Sequence, residues 1–225
     1  VGAGVTTVKV GDRVAYSGQP PGSYAQLRNM PPNNLVKLPA SISYETGAAM
    51  MLKGLTVQYL FRRTYKLQKG QTILFHAAAG GVGLIAMQWA KALGVTVIGT
   101  VGSEEKAALA RKFGCDHTIL YNKENVAERV REITNGEMVP VVYDSVGKDT
   151  LMASLDSLQT RGTLVSNGTS SGPVILDVAM LGRKGGGSLK VTRPAMVHYA
   201  TPRSHMLEMA RELFETGSVQ SSNTN

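Results

Sequence analysis

Ala77-Ala78-Ala79-Gly80-Gly81-Val82-Gly83 is the stretch whose reading decides the fold. The apolar run Thr72-Ile73-Leu74-Phe75 precedes it, and a helical pattern from Val82 to Leu93 follows. A glycine-rich turn between a buried strand and a helix lets bare backbone N–H groups approach a diphosphate, and the helix N-terminus adds partial positive charge. The strict dinucleotide fingerprint is G-x-G-x-x-G. Here Ala78 stands at its first position, and Gly80 and Gly83 at the other two. Such a match is a weak signal alone, so the flanking sequence has to give it meaning.

On both sides of the turn the pattern alternates. Strands are predicted near 72–77, 95–101, 117–121, 139–144, 163–167 and 188–192, and helices near 82–93, 104–113, 125–134 and 148–159. In the first helix Ile85, Trp89 and Leu93 align, with Val82, Ala86 and Ala90 as the adjoining row, which predicts one broad face on the sheet. Gly94 sits where a left-handed cap would end it. Runs such as Val139-Pro140-Val141-Val142-Tyr143 are continuously apolar, as burial on both faces requires. The fold class is therefore α/β, with right-handed βαβ units building a doubly wound, parallel six-stranded sheet. The connection over 168–187 is Gly- and Ser-rich and less regular.

Ahead of this region, residues 1 to about 45 look β-rich, with runs at 13–16, 24–27 and 35–38 between Gly, Pro and Asn. Three such strands cannot bury a core alone, so they are expected to belong to a larger β domain that begins ahead of Val1. Tyr44 to Tyr65 reads as helix with a break at Gly54. A last helix over 204–216 gathers Met206, Met209, Ala210, Leu213 and Phe214 on one side, and the β domain is expected to resume beyond Asn225.

At 225 residues, 43% hydrophobic and 18% charged, the chain can bury one good core and part of a second. No apolar run is long enough to span a bilayer, and no signal peptide is expected. A single cysteine, Cys115, excludes an internal disulfide framework and fits the cytoplasmic redox state; it reads as a small buried residue. The net charge of +8 permits contact with nucleic acid without favouring it, because the basic residues are scattered.

The ligand is narrowed by what surrounds the turn. A Walker loop needs Lys and then Ser or Thr after its last glycine; Leu84-Ile85 follow here, which disfavours ATP or GTP hydrolysis. NAD binders place Asp or Glu at the end of the second strand, for the ribose 2′-hydroxyl. That strand ends in Val101, then Gly102-Ser103, with no carboxylate. A carboxylate would repel a 2′-phosphate, so its absence, with Ser103 and Lys106 nearby, favours NADPH. The plainer reading is an N-cap serine and a solvated lysine. His76, His117, His198, His205 and Cys115 show no metal-ligand spacing, and no metal is expected. His76 reads as a core residue with one hydrogen bond. Asp144 ends the fourth strand, where it could face a ligand or stabilise the turn 144–147.

The runs Leu52-Lys53-Gly54-Leu55-Thr56-Val57, Phe75 to Leu84 and Gln88-Trp89-Ala90-Lys91 resemble the NADPH:quinone oxidoreductases. These are the zeta-crystallin-like, zinc-free branch of the medium-chain dehydrogenase/reductase family. Further support lies in Gly99 to Ser103 with Lys106, Val142 to Gly147, and Val191-Thr192-Arg193-Pro194, and the resemblance runs over essentially all of the chain. It implies a Rossmann NADPH-binding domain over 51–194, part of a GroES-like β domain over 1–50 and a return segment over 195–225, in a homodimer. Gly81 and Val82 would meet the diphosphate. Ser103, Lys106 and Tyr121 would surround the adenosine 2′-phosphate, with Gly102 beside them. Tyr59 and Gly168, Thr169, Ser170 and Ser171 would line the cofactor cleft between the domains, and Pro194, Ala195 and Met196 would present backbone to the nicotinamide. Catalytic residues are expected only ahead of Val1, in an asparagine and tyrosine motif. In zinc-dependent relatives a cysteine ligand lies near Leu52, which cannot bind the metal, and Gly185-Gly186-Gly187 looks like a small insertion. The implied activity is reduction of a quinone or similarly conjugated carbonyl by NADPH. Enone or enoyl thioester reduction, and a zeta-crystallin-like RNA-binding or structural role, stand as alternatives.

Overall fold

Short β-forming runs interrupted by Gly and Pro yield only a minimal sheet near the N-terminus. Val14–Ala15 (β1) pairs antiparallel with Val36–Lys37 (β2). The third expected strand, 24–27, is a series of bends with Tyr24 and Leu27 exposed. Arg28 explains it: its guanidinium lies 4.9 Å from the Tyr16 ring centroid and donates to the Pro21 carbonyl at 3.1 Å, tying the segment into a loop. Helix α1 (Tyr44–Gln58) starts on Ser43, whose hydroxyl accepts the Thr46 N–H. It passes through Gly54 without the expected break. A Cβ on Gly54 would lie 2.6 Å from Leu213 Cδ2, so this glycine admits a close neighbour rather than ending the helix. The last turns widen into a π-type segment, Tyr59–Thr64.

The computed structural model describes residues 1–18 and 20–221, which fall into two units; residues 222–225, the end of the expected return segment, lie outside them. One unit is Val1–Tyr59 with the chain from Met196 onward, and the other is Leu60–Ala195.

In the second unit the apolar runs become strands and the amphipathic runs helices. In order they are β3 (Thr72–Phe75), α2 (Gly81–Leu93), β4 (Thr96–Val101), α3 (Glu104–Lys112) and β5 (His117–Leu120). Next come α4 (Val126–Ile133), β6 (Val139–Asp144), α5 (Leu151–Asp156), β7 (Leu158–Ser166), α6 (Met180–Arg183) and β8 (Lys190–Thr192). The six strands are all parallel, in the order β5-β4-β3-β6-β7-β8. This is the expected doubly wound sheet. Helix α5 is shorter than the predicted 148–159, because Leu158 already pairs with Val139 and starts β7.

Period-two alternation sorts the strand residues onto two faces. Leu74, Ile98, Ile119, Val142 and Leu164 form one core with Val126 and Val130 of α4 and Leu151 and Leu155 of α5. The intervening Phe75 and Tyr143 instead pack against Phe61, edge-on and tilted respectively, at ring-centroid distances of 6.2 and 5.0 Å from it. In α2 the buried set is Gly83, Ala86, Met87, Trp89 and Ala90, so the packed face is rotated from the predicted one and leaves Ile85 and Leu93 half-buried. Gly94 caps this helix at φ 69°. Strand order reverses between β3 and β6, the place where open α/β sheets form a ligand crevice beyond the carboxyl ends of the strands.

The chain then returns to the first unit as α7 (Met196–Ala200) and α8 (Arg203–Ser221). Met209, Ala210, Leu213 and Phe214 of α8 are buried, and Gln58 Nε2 donates to Glu212 Oε2 at 3.1 Å. Among the described residues no helix is long and apolar enough to cross a membrane.

Candidate functional site

Strand β3 delivers the chain into the glycine turn at the centre of the crevice. Ala77 takes φ 54°, in the left-handed region that non-glycine residues seldom adopt. Its N–H points at Thr100 Oγ1 (3.4 Å), and the next N–H, of Ala78, donates to the Thr100 carbonyl at 3.0 Å. Gly80 N–H closes the turn onto the Ala77 carbonyl at 2.9 Å. Gly80 then serves as an N-cap without a side chain, and α2 has no acidic residue in its first turn. Its first internal bond runs from Leu84 N–H to the Gly80 carbonyl (2.8 Å). The N–H groups of Gly81, Val82 and Gly83 therefore have no acceptor within the helix, which is the arrangement that receives an anion.

Two glycines make the turn sterically feasible. A Cβ on Gly83 would stand 2.5 Å from the Ala77 carbonyl oxygen, so nothing larger fits where α2 leaves the strand. Ala78, which replaces the usual first glycine, is fully buried. Its room comes from Gly99 on β4: a Cβ there would fall 2.6 Å from both Ala78 Cβ and Cys115 Sγ. The absent side chain has moved to the neighbouring strand.

At the ends of β4 and β5 the structure gathers Gly102, Ser103, Lys106 and Tyr121. Val101, where a carboxylate would stand, is buried. Asn122 Nδ2 donates to the Gly102 carbonyl at 3.1 Å, and a Cβ on Gly102 would be 3.0 Å from the Tyr121 hydroxyl. Ser103 is the N-cap of α3, accepting Lys106 N–H at 3.3 Å, which leaves its own hydroxyl hydrogen to donate. Lys106 and Tyr121 are exposed, and Glu104 and Glu105 share the first turn with Lys106.

At the other side of the turn, the loop containing Gly168, Thr169, Ser170 and Ser171 lies on the loop after β6. Ser170 N–H donates to Ser145 O at 3.3 Å, Ser171 N–H to Val146 O at 2.9 Å, and Asp149 N–H to Ser171 Oγ at 3.0 Å. Arg193, just past β8, donates to the carbonyls of Ser166 (3.0 Å) and Gly168 (2.8 Å). No expectation singled out Arg193; only its place in the run Val191 to Pro194 drew attention to it. Pro194 and Ala195 follow in the same unit, whereas Tyr59 and Met196 belong to the first, where the Tyr59 ring stacks on Tyr199 at 5.0 Å.

Beneath the turn lies a buried polar cluster that local pattern could not reveal. His76 makes two hydrogen bonds rather than one: Nδ1 with Thr100 Oγ1 (2.9 Å) and Nε2 with Ser154 Oγ (3.0 Å). Ser154 Oγ in turn donates to Asp144 Oδ2 at 2.7 Å. Asp144 also accepts the N–H groups of Val146 and Gly147, both at 2.9 Å, and the Thr150 hydroxyl at 2.7 Å. It is 2% exposed, so it anchors its turn and does not face a ligand. Burial pushes the pKa of His76 down, with the Asp144 charge opposing the shift. Burial also pushes the Cys115 thiol up to about 11, which removes it as a nucleophile near neutral pH.

The signature of the family described as zinc-binding dehydrogenase matches residues 81–213. Quinone oxidoreductase from Pseudomonas aeruginosa is 58% identical over 215 residues, covering 95% of this chain and 66% of that protein. The 2-haloacrylate reductase of a Burkholderia species is 49% identical over 219 residues, covering 96% and 65%. The crystal structure of Escherichia coli quinone oxidoreductase complexed with NADPH superposes with a TM-score of 0.93 at 50% identity, over 97% of this chain and 68% of that one. The chain thus spans about two thirds of the length of the curated relatives it matches, 66% of the first. Although the family description names zinc, no group of three His, Cys, Asp or Glu among the described residues could hold a metal ion. The described residues do not fit zinc.

Proposed function

This chain belongs to the zinc-binding dehydrogenase family, and we propose that it is an NADPH-dependent reductase of quinones that works without a metal. The observation that carries this is the uncapped glycine turn at the crossover point, beside a β4 end that bears no carboxylate. The NADPH held by the E. coli relative supports it. A Cβ on Gly83 would meet the Ala77 carbonyl oxygen at 2.5 Å, so the close approach of α2 to the turn depends on this glycine.

When bound, NADPH supplies a hydride from its nicotinamide to a conjugated acceptor. The chain's own residues bind and orient. The N–H groups of Gly81 and Val82 hold the diphosphate. Gly102, Ser103, Lys106 and Tyr121 receive the 2′-phosphate, with Ser103 donating through its hydroxyl and Lys106 through its charge. The loop of Gly168, Thr169, Ser170 and Ser171, braced by Arg193, shapes the far end of the crevice together with Pro194 and Ala195. Tyr59 and Met196 join the set by resemblance, as do a homodimeric state, a cytoplasmic location and the domain limits 1–50, 51–194 and 195–225. The similarity to 2-haloacrylate reductase favours a second substrate class, compounds whose carbon–carbon double bond is conjugated with a carboxylate.

Lys106→Ala tests the cofactor assignment. Loss of a charge-assisted contact at an exposed site should weaken NADPH binding about tenfold, with NADH unchanged. Equal weakening of both would refute the 2′-phosphate site. Rates with 1,4-benzoquinone and with 2-chloroacrylate separate the two substrate classes.

A further inference from the structure

We infer that the buried chain Thr100–His76–Ser154–Asp144 is a positioning device that holds the diphosphate turn in its binding shape. The inference rests on the reading of that turn as an NADPH cradle. Each link is directional. Asp144 accepts from four donors, Val146 N, Gly147 N, Thr150 Oγ1 and Ser154 Oγ, and has nothing to give back. Ser154 must spend its single hydroxyl hydrogen on Asp144, so toward His76 it can only accept. Nε2 of His76 therefore carries the proton, and in the neutral ring Nδ1 is an acceptor. Burial favours the neutral ring, against the opposing Asp144 charge. Thr100 then donates to Nδ1, which turns a lone pair of Oγ1 toward the N–H of Ala77.

The end of the chain is the residue that needs holding. A left-handed conformation at alanine is unfavourable because Cβ crowds the following carbonyl oxygen, and Ala77 adopts it at the point where the turn leaves β3. Thr100 secures both sides of it, through Oγ1 to Ala77 N–H and through its carbonyl to Ala78 N–H. At the opposite end Asp144 fixes Val146 and Gly147, on which the loop of Gly168 to Ser171 rests. One buried carboxylate thus organises the loops on both sides of the crevice. A neutral imidazole meets this demand, accepting at Nδ1 and donating at Nε2 between Thr100 and Ser154.

Thr100→Val and Thr100→Ser test it. Valine keeps the packing and deletes the hydroxyl, and serine keeps the hydroxyl. We expect Thr100→Val to raise the Kd for NADPH about tenfold, equivalent to 1.4 kcal/mol, and the Kd for NADH equally, because the diphosphate is common to both. Thr100→Ser should stay within about twofold of the parent. An unchanged Kd in Thr100→Val with a lowered melting temperature would reduce the chain to a stabilising core network and overturn the inference. The ligand-free protein supplies an independent readout. Nitrogen-15 spectra should show His76 protonated at Nε2, and the Ala77 amide should exchange faster in Thr100→Val than in Thr100→Ser. The other tautomer, or equal exchange, overturns the inference even if the parent protein binds no NADPH, an outcome that would refute the cofactor reading separately.

Discussion

Replacing Gly99 by alanine should destabilise the protein through two contacts that no local rule describes. The new Cβ would sit 2.6 Å from Ala78 Cβ and 2.6 Å from Cys115 Sγ, about 1 Å inside the roughly 3.5–4.0 Å optimum for such atoms. All three sites are interior, with Ala78 at 0% and Cys115 at 5% exposure, so neither neighbour can swing into solvent. Overpacking of this kind costs about 1–3 kcal/mol, a fall of about 2–12 °C in Tm for a chain of this size. The informative experiment is the double-mutant cycle with Ala78→Gly. Alone, Ala78→Gly removes a buried methyl, about 0.8 kcal/mol, and adds backbone entropy to the unfolded chain, about 0.5–1 kcal/mol. In the double variant the methyl has simply crossed from β3's turn to β4. One of the two clashes disappears, and the pair should be more stable than the sum of the single changes by about 1 kcal/mol or more. Urea unfolding at constant m-value measures all four corners. Additivity within about 0.5 kcal/mol would refute the idea that Gly99 makes the room that Ala78 occupies.

Further outcomes follow from the same region. His76 has a folded pKa depressed below 6.5, so the unfolded chain takes up the proton first; this contribution is complete above about pH 6.5 and is lost as pH falls toward the folded value, with a slope of at most about 1.4 kcal/mol per pH unit. His76→Asn should flatten that part of the stability profile, and an identical slope in both proteins would contradict it. Cys115, buried and with its thiol pushed up to about 11, should resist iodoacetamide at pH 8 in the native state and react only on unfolding, as mass spectrometry would report. Arg193→Met should remove the donors to the Ser166 and Gly168 carbonyls, which loosens the 168–171 loop; a rise in hydrogen exchange there and a stability loss of about 1–2 kcal/mol are expected, and unchanged exchange would show that the loop is held by its contacts with residues 145–149 alone.

Much of the second unit was legible because its information is local. A strand buried on both faces must be largely apolar, and β3, β4 and β6 are, apart from Thr72, Thr96, Thr100 and Asp144; a helix on one face of a sheet must repeat at 3.6 residues, and α2 does. The uncapped glycine turn and the missing carboxylate after Val101 were likewise visible as letters in order. The errors arose where a partner far along the chain decides. Tyr24 to Leu27 has strand-forming residues and no strand beside it. Gly54 reads as a helix breaker until Leu213, distant in sequence, occupies the space against it. Residues 157–159 read as helix until Leu158 finds Val139.

From sequence alone follow the parallel sheet, the position of the glycine turn ahead of α2 and the lack of a carboxylate at the end of β4, because strand burial and helix termini act over a few residues. Tertiary structure alone decided what lets that turn exist with an alanine in it. Gly99 lies 21 residues beyond Ala78, and hydrogen bonds linking His76 to Thr100 and to Ser154 span 24 and 78 residues. Steric room and hydrogen-bond direction depend on where atoms meet in space, and residues so far apart in sequence carry no shared periodicity by which their meeting could be read.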